Sequence, residues 1–174
     1  MTRWFLARGA KPDAEAGGLD CTALSFAIMR APFTIIKILF DHGGSTRHGQ
    51  LLQYAIYREE TDCLEVLDFL LDRGAPINDV MYQNRVQDYL MQMAFGLGTP
   101  LHKAAECGRL DVVKHLVKRS ADPLIPNARR QIALELAESN GHSEVVEYLL
   151  PLSVSPSVQR HYFTDRLGFH VRNP

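Results

Sequence analysis

A chain of 174 residues fits one domain or two small ones, and at that size a core can form without disulfides or metals. Hydrophobic residues make up 46% and charged residues 22%, which excludes a wholly disordered chain. With 19 Lys+Arg against 20 Asp+Glu and a formal charge of −1, the chain lacks the basic excess of a polyanion-coating protein.

The elements follow in chain order. Trp4–Ala7 predicts a short helix closed by Arg8-Gly9-Ala10, and its apolar run is too short for a secretory signal. Thr22-Ala23-Leu24-Ser25-Phe26-Ala27 opens a helix. A second helix carries Ile35, Ile36, Leu39 and Phe40 and stops at Gly43-Gly44. Gln50-Leu51-Leu52-Gln53-Tyr54-Ala55 repeats the first pattern. Val66, Leu67, Leu70 and Leu71 repeat the second, up to Gly74-Ala75. A long connection from about Asp79 to Leu97 predicts an extra helix over Val86–Ala94. Thr99-Pro100-Leu101-His102-Lys103-Ala104-Ala105 then pairs with Val112, Val113, Leu116 and Val117. Ile132-Ala133-Leu134-Glu135-Leu136-Ala137 pairs with Val145, Val146, Leu149 and Leu150. The recurring i, i+1, i+4, i+5 spacing puts a broad apolar stripe on one side of each second helix. Thr99 can cap a helix with Pro100 at its first position, and Gly108 and Gly141 can end first helices in a left-handed turn. No helix pair can bury its stripe alone, so the units must stack.

These residues resemble a known family. The third unit, Gly98-Thr99-Pro100-Leu101-His102-Lys103-Ala104-Ala105 with Gly108, Val112, Val113, Leu116 and Ala121-Asp122-Pro123, resembles the ankyrin repeat, and the fourth matches nearly as well from Gly141-His142 to Leu150. The resemblance implies an all-α ankyrin solenoid of stacked helix–turn–helix units. Residues 1–13 form an N-terminal half repeat and residues 14–150 the array with its insertion at about 79–97. Residues 151–174 form a tail or a cap through Tyr162, Phe163, Leu167 and Phe169. The resemblance also gives Thr99, Pro100, Leu101, His102, Gly108, Gly141 and His142 structural roles, with His102 hydrogen-bonding between neighbouring repeats. Unit starts at 22, 50, 99 and 132 are 28, 49 and 33 residues apart. The second interval is therefore long by sixteen, with three extra residues near Glu59–Asp62 and the rest between Gly74 and Thr99. A connection of that length is either functional or tolerated drift. The chain also starts inside a repeat, so it is either complete with the Trp4 helix as its cap, a part of a longer array, or a truncated product.

Chemistry is sparse. No CxxC, HExxH, GxSxG or P-loop pattern occurs, and Arg129-Arg130 is too small a basic step for nucleic acid. Three cysteines, an odd number, are no disulfide framework. Cys21, Cys63 and Cys107 also occupy different positions of the repeat. The longest uncharged stretch, Tyr89–His102, falls short of a membrane span. The reading is of a non-catalytic protein with no cofactor, metal, small-molecule substrate, nucleic-acid or membrane partner, in the cytoplasm or nucleus. Its function, implied by the resemblance, is to bind another protein through a concave face. The alternative is a regulatory fragment of a larger multidomain protein. The first-helix positions facing that surface are Phe26, Met29 and Arg30 in the first unit and Tyr54, Tyr57 and Arg58 in the second. They form a ladder of the side chains favoured in binding hot spots, or a core covered by the insertion or by a missing upstream segment.

Overall fold

The apolar stripes read from the sequence become helix pairs in the computed structural model, which describes residues 1–15, 20–58 and 62–154. Helix α1 (Thr2–Leu6) precedes four pairs: α2 (Ala23–Arg30) with α3 (Phe33–Asp41), α4 (Leu51–Ile56) with α5 (Cys63–Leu71), α7 (Pro100–Glu106) with α8 (Leu110–Lys118), and α9 (Ala133–Ser139) with α10 (Ser143–Ser153). Helix α6 (Val86–Gln92), continued by a 3-10 turn over Met93–Phe95, lies in the long connection. The extra helix predicted over Val86–Ala94 is therefore present. Among the described residues there is no strand, only a bridge between Glu15 and Thr22.

The first helices stack in a row, α2 on α4, α4 on α7 and α7 on α9. Fully buried Ala55, Ala104, Ala105, Ala133 and Ala137 let these short helices approach closely. The second helices meet through larger groups. Phe33 and Phe40 of α3 each present an edge-to-face contact to Phe69 of α5, with ring centroids 5.2 Å apart. Between α5 and α8 the seam is ionic. Asp68 accepts from His115 Nε2 at 3.0 Å and from Arg119 at 2.5 Å, and Arg119 also reaches Asp72.

Helices α1, α3, α5 and α8 close in the same way, with an amide donating to the carbonyl five residues back. The pairs are Ala10 to Phe5, Gly44 to Leu39, Ala75 to Leu70 and Ala121 to Leu116, at 2.9–3.1 Å. This closure needs a left-handed residue just before the donor. Gly9, Gly43 and Gly74 supply it, but the third unit uses Ser120 at φ +74°. Helix α1 thus has the same termination as α3, α5 and α8. At the other end α10 runs through Pro151 to Ser153, three residues past the expected boundary at 150. The proposed cap residues Tyr162, Phe163, Leu167 and Phe169, like residues 59–61, lie outside the described residues.

The insertion is tied down at several points. Met81 N–H donates to the Gly98 carbonyl, and Tyr82 is buried. Arg85 pairs with Glu15 and Asp88, and Arg129 donates to the Ala94 carbonyl. Gln50 bridges the insertion to the first unit: its carboxamide donates to Asp20 at 2.6 Å and accepts from the Tyr82 amide at 3.4 Å.

A non-glycine residue in the left-handed region costs about 1–2 kcal/mol, part of which glycine returns through its greater freedom when unfolded. Ser120→Gly should therefore raise the unfolding free energy by about 0.5–1 kcal/mol, read from the midpoint of urea denaturation.

Candidate protein-binding surface

First helices of six to eight residues leave most of their backbone groups without intrahelical partners. The next unit supplies many of those partners, and that fixes the surface the helices present. At the N-terminal side, His102 carries the link predicted for it. Its Nδ1 accepts from the Thr99 amide at 3.1 Å, and its Nε2 lies 2.9 Å from the Gln131 carbonyl. An amide can only donate and a carbonyl only accept, so the proton sits on Nε2 and the ring is neutral. Ser25 occupies the same position in the first unit. It accepts from the Thr22 amide and donates to the Gly49 carbonyl at 2.6 Å. Each carbonyl immediately precedes the first residue of the following unit.

At the C-terminal side the following unit sends a cationic or imidazole side chain back. Arg58 NH1 donates to the Ile28 carbonyl at the end of α2 (3.0 Å). Arg109 NH1 donates to Ile56 and Arg58 carbonyls at the end of α4 (both 3.2 Å). His142 Nε2 lies 2.9 Å from the Glu106 carbonyl at the end of α7. All three side chains come from the turn between the two helices of their unit. Positive charge is favoured at a helix C-terminus, where carbonyl dipoles converge. Gly108 lets the imidazole dock. It has φ +67°, and a Cβ there would lie 2.5 Å from His142 Nδ1. Gly141 likewise has φ +75°.

This pattern corrects one of the six candidate partner residues. Arg58 does not lie on the open ladder. It is 1% exposed, and its guanidinium forks onto Asp62 (Nε to Oδ1 2.5 Å, NH2 to Oδ2 2.8 Å) while capping α2. The paired guanidinium holds the Asp62 carboxyl below the usual carboxylate range. The longer turn of the second unit moves Arg58 off the helix face.

The other five remain at the surface to different degrees. Phe26 is 51% exposed and Tyr57 47%. Arg30 is exposed and Met29 half-buried. Tyr54 is half-buried with its ring 6.5 Å from Phe26, and its hydroxyl lies 3.2 Å from Cys21 Sγ. Burial and that thiol push the Tyr54 hydroxyl well above its ordinary pKa, so it stays protonated. Tyr57 meets the following unit: Lys103 Nζ sits 4.8 Å from its ring centroid while pairing with Glu106 at 2.8 Å. Tyr57, Lys103 and Leu136 share an open cavity of about 230 Å³ with Met81, Phe95 and Leu97 of the insertion. The insertion therefore borders the ladder without covering Phe26 or Tyr57.

Among the described residues no cluster of three or more His, Cys, Asp or Glu side chains could hold a metal, and no helix is long and apolar enough to cross a membrane. Cys21, Cys63 and Cys107 are unpaired. Desolvation raises the Cys107 thiol pKa and outweighs the opposing pull of Lys103 and Arg109, so the thiol is not activated.

Stacked helix pairs with inter-unit capping define a helical repeat solenoid. A family model described as ankyrin repeats matches residues 82–160 as three copies. Residues 82–160 are therefore ankyrin repeats, and the mostly helical fold of the described residues is that of an all-α ankyrin solenoid. The chain is similar to the human ankyrin repeat domain-containing protein 39, at 37% identity over 44% of this chain and 40% of that protein. It is also similar to a putative ankyrin repeat protein of Rickettsia bellii, at 34% identity over 48% of this chain and 52% of that one. A third relative, human espin-like protein, is 33% identical over 52% of this chain and 8% of its own length. The chain thus spans from under a tenth to about half of these relatives. Ankyrin repeats are in general non-catalytic modules for protein–protein interaction.

Two predictions follow from the connectors. Removing Arg58 leaves a carboxylate and a helix-terminal carbonyl without their buried partner. Arg58→Ala should lower the unfolding free energy by about 2–4 kcal/mol in urea denaturation, with Arg58→Lys intermediate because it cannot fork. His102 gives a pH dependence. Burial holds its pKa below the ordinary 6.5, so the unfolded chain takes up the proton first. Its contribution is complete above about pH 6.5 and is lost as pH falls toward the lower folded value. Between pH 7.5 and 5.5 the wild type should lose more stability than His102→Gln, which cannot titrate.

Proposed function

We propose that this chain binds another protein through the first-helix face that carries Phe26, Met29, Arg30, Tyr54 and Tyr57, the face expected to be concave. The observation that carries the reading is the half exposure of Phe26 and Tyr57 on a row of helices most of whose other apolar side chains are buried. Aromatic rings offer large contact area at low entropic cost, and a row fixed by inter-unit capping is already in its binding geometry. The cavity beside Tyr57 has room for one more apolar side chain, with Lys103 and Glu106 at its rim as polar selectors. On this reading the chain is not an enzyme and needs no cofactor, and its three unpaired cysteines suit the cytoplasm or nucleus.

A second reading, a regulatory array acting within a larger protein, is favoured by one observation: the matched region is 8% of the espin-like relative.

The test is capture from native lysate with wild type beside Phe26→Ala/Tyr57→Ala, both of equal helicity and melting temperature. A partner held by wild type should bind the double variant at least tenfold more weakly. Equal binding by both would place the interface elsewhere.

A further inference from the structure

Helix α6 is turned inside out. Its one buried residue is Asp88, held by Arg85, which also pairs with Glu15. Its apolar residues face solvent: Val86 is 69% exposed, Leu90 61% and Met91 72%, and in the following turn Met93 is 40% and Phe95 75% exposed. Val86, Leu90 and Met93 fall at i, i+4 and i+7, with Met91 and Phe95 at i, i+4 beside them, so they form two adjacent ridges on one side. The polar attachment fixes this orientation. Rolling the helix to bury its ridges would break the Arg85–Glu15 pair, the attachment that reaches beyond α6, and carry Asp88 out of its buried position.

We infer that this outward face is a self-association surface, pairing with the same face of a second copy of the chain about a two-fold axis. The first argument is electrostatic. From Tyr89 to His102 there is no Asp, Glu, Lys or Arg. That segment brings no like charges of its own together in two copies; the charged groups lie at its ends, the Arg85–Asp88 pair at one and Arg129 on the Ala94 carbonyl at the other. Between those ends the ridges carry no charge pattern by which a different partner would be selected. The second argument is area. Five large apolar side chains at these exposures make a patch on the order of several hundred Å². Doubled by symmetry, that reaches the lower end of specific interfaces, where association is weak and reversible. Shape adds a third. Adjacent ridges on a short helix can seat in the grooves of an identical helix, and two methionines let the fit adjust. Phe95 also lines the cavity beside Tyr57, but Leu90 and Met91 do not, so substitutions at those two test this inference apart from the proposed function.

The experiment is sedimentation equilibrium of the full chain over about 5–500 μM. Wild type should shift from 19.6 kDa toward twice that mass as concentration rises. Leu90→Glu/Met91→Glu should weaken the dimer at least tenfold at an unchanged melting temperature, since both side chains are exposed in the monomer. If the double variant does not fold, Met91→Gln is read in its place, with a weakened dimer expected. A wild type that stays monomeric throughout overturns the inference. Self-association that the variants leave unchanged overturns it too, by moving the contact to another face.

Discussion

The interaction on which the rest of the structure depends is a hydrogen bond from one repeat to the end of a helix in the previous one. A helix of six to eight residues has more unsatisfied backbone groups at its ends than bonds in its middle. Alone, such a helix would not form. Arg58, Arg109 and His142 reach back to the carbonyls that end α2, α4 and α7. Ser25 and His102 reach forward to the carbonyls of Gly49 and Gln131. The alanines of the first-helix row then bring backbones close enough for these reaches to be made. Packing and capping are therefore one constraint, since neither is satisfied without the neighbouring unit.

Much of this was legible in the sequence because it depends on residue type at fixed spacing. The third unit, with Thr99, Pro100, His102 and Gly108, carries every local signal of its fold. The degenerate first unit kept the apolar stripe and hid a chemical substitution, in which Ser25 performs the link that His102 performs later. What the sequence did not reveal was where a side chain goes when a turn changes length. Arg58 was placed on a helix face by counting from Tyr54. The turn of the second unit is longer, and the guanidinium instead does the work of Arg109. The relation was half visible, because Arg109 and His142 are 33 residues apart, one repeat. The N-cap glutamine, Gln50, was similarly opaque. Its left-handed backbone and its bridge between Asp20 and Tyr82 depend on the insertion having folded back.

The insertion shows the same limit in a different form. Its helix could be predicted from periodicity, but its orientation could not. An apolar stripe ordinarily faces the core, and here two arginines decide otherwise. Arg85 pairs with Asp88 within α6 and anchors the start of the helix to Glu15, and Arg129 holds the Ala94 carbonyl at its end. Local pattern sets the type of element, and long-range charge pairing sets which side of it is presented. The array consequently displays two unlike surfaces. One is a mixed aromatic and charged row on the first helices, and the other an exposed apolar ridge on the insertion.

The C-terminal caps run in one direction only: a later unit always completes an earlier one. During synthesis the ribosome releases the N-terminal units first. The last turn of α2 must wait for Arg58, that of α4 for Arg109, and that of α7 for His142. Order therefore trails translation by about one repeat, and the nascent array always carries an unfinished helix end nearest the exit tunnel. Mechanical load applied at the C-terminal end would act on the same asymmetry in reverse. Peeling away the fourth unit withdraws His142 and uncovers the end of α7, so each step of unzipping weakens the unit that comes next.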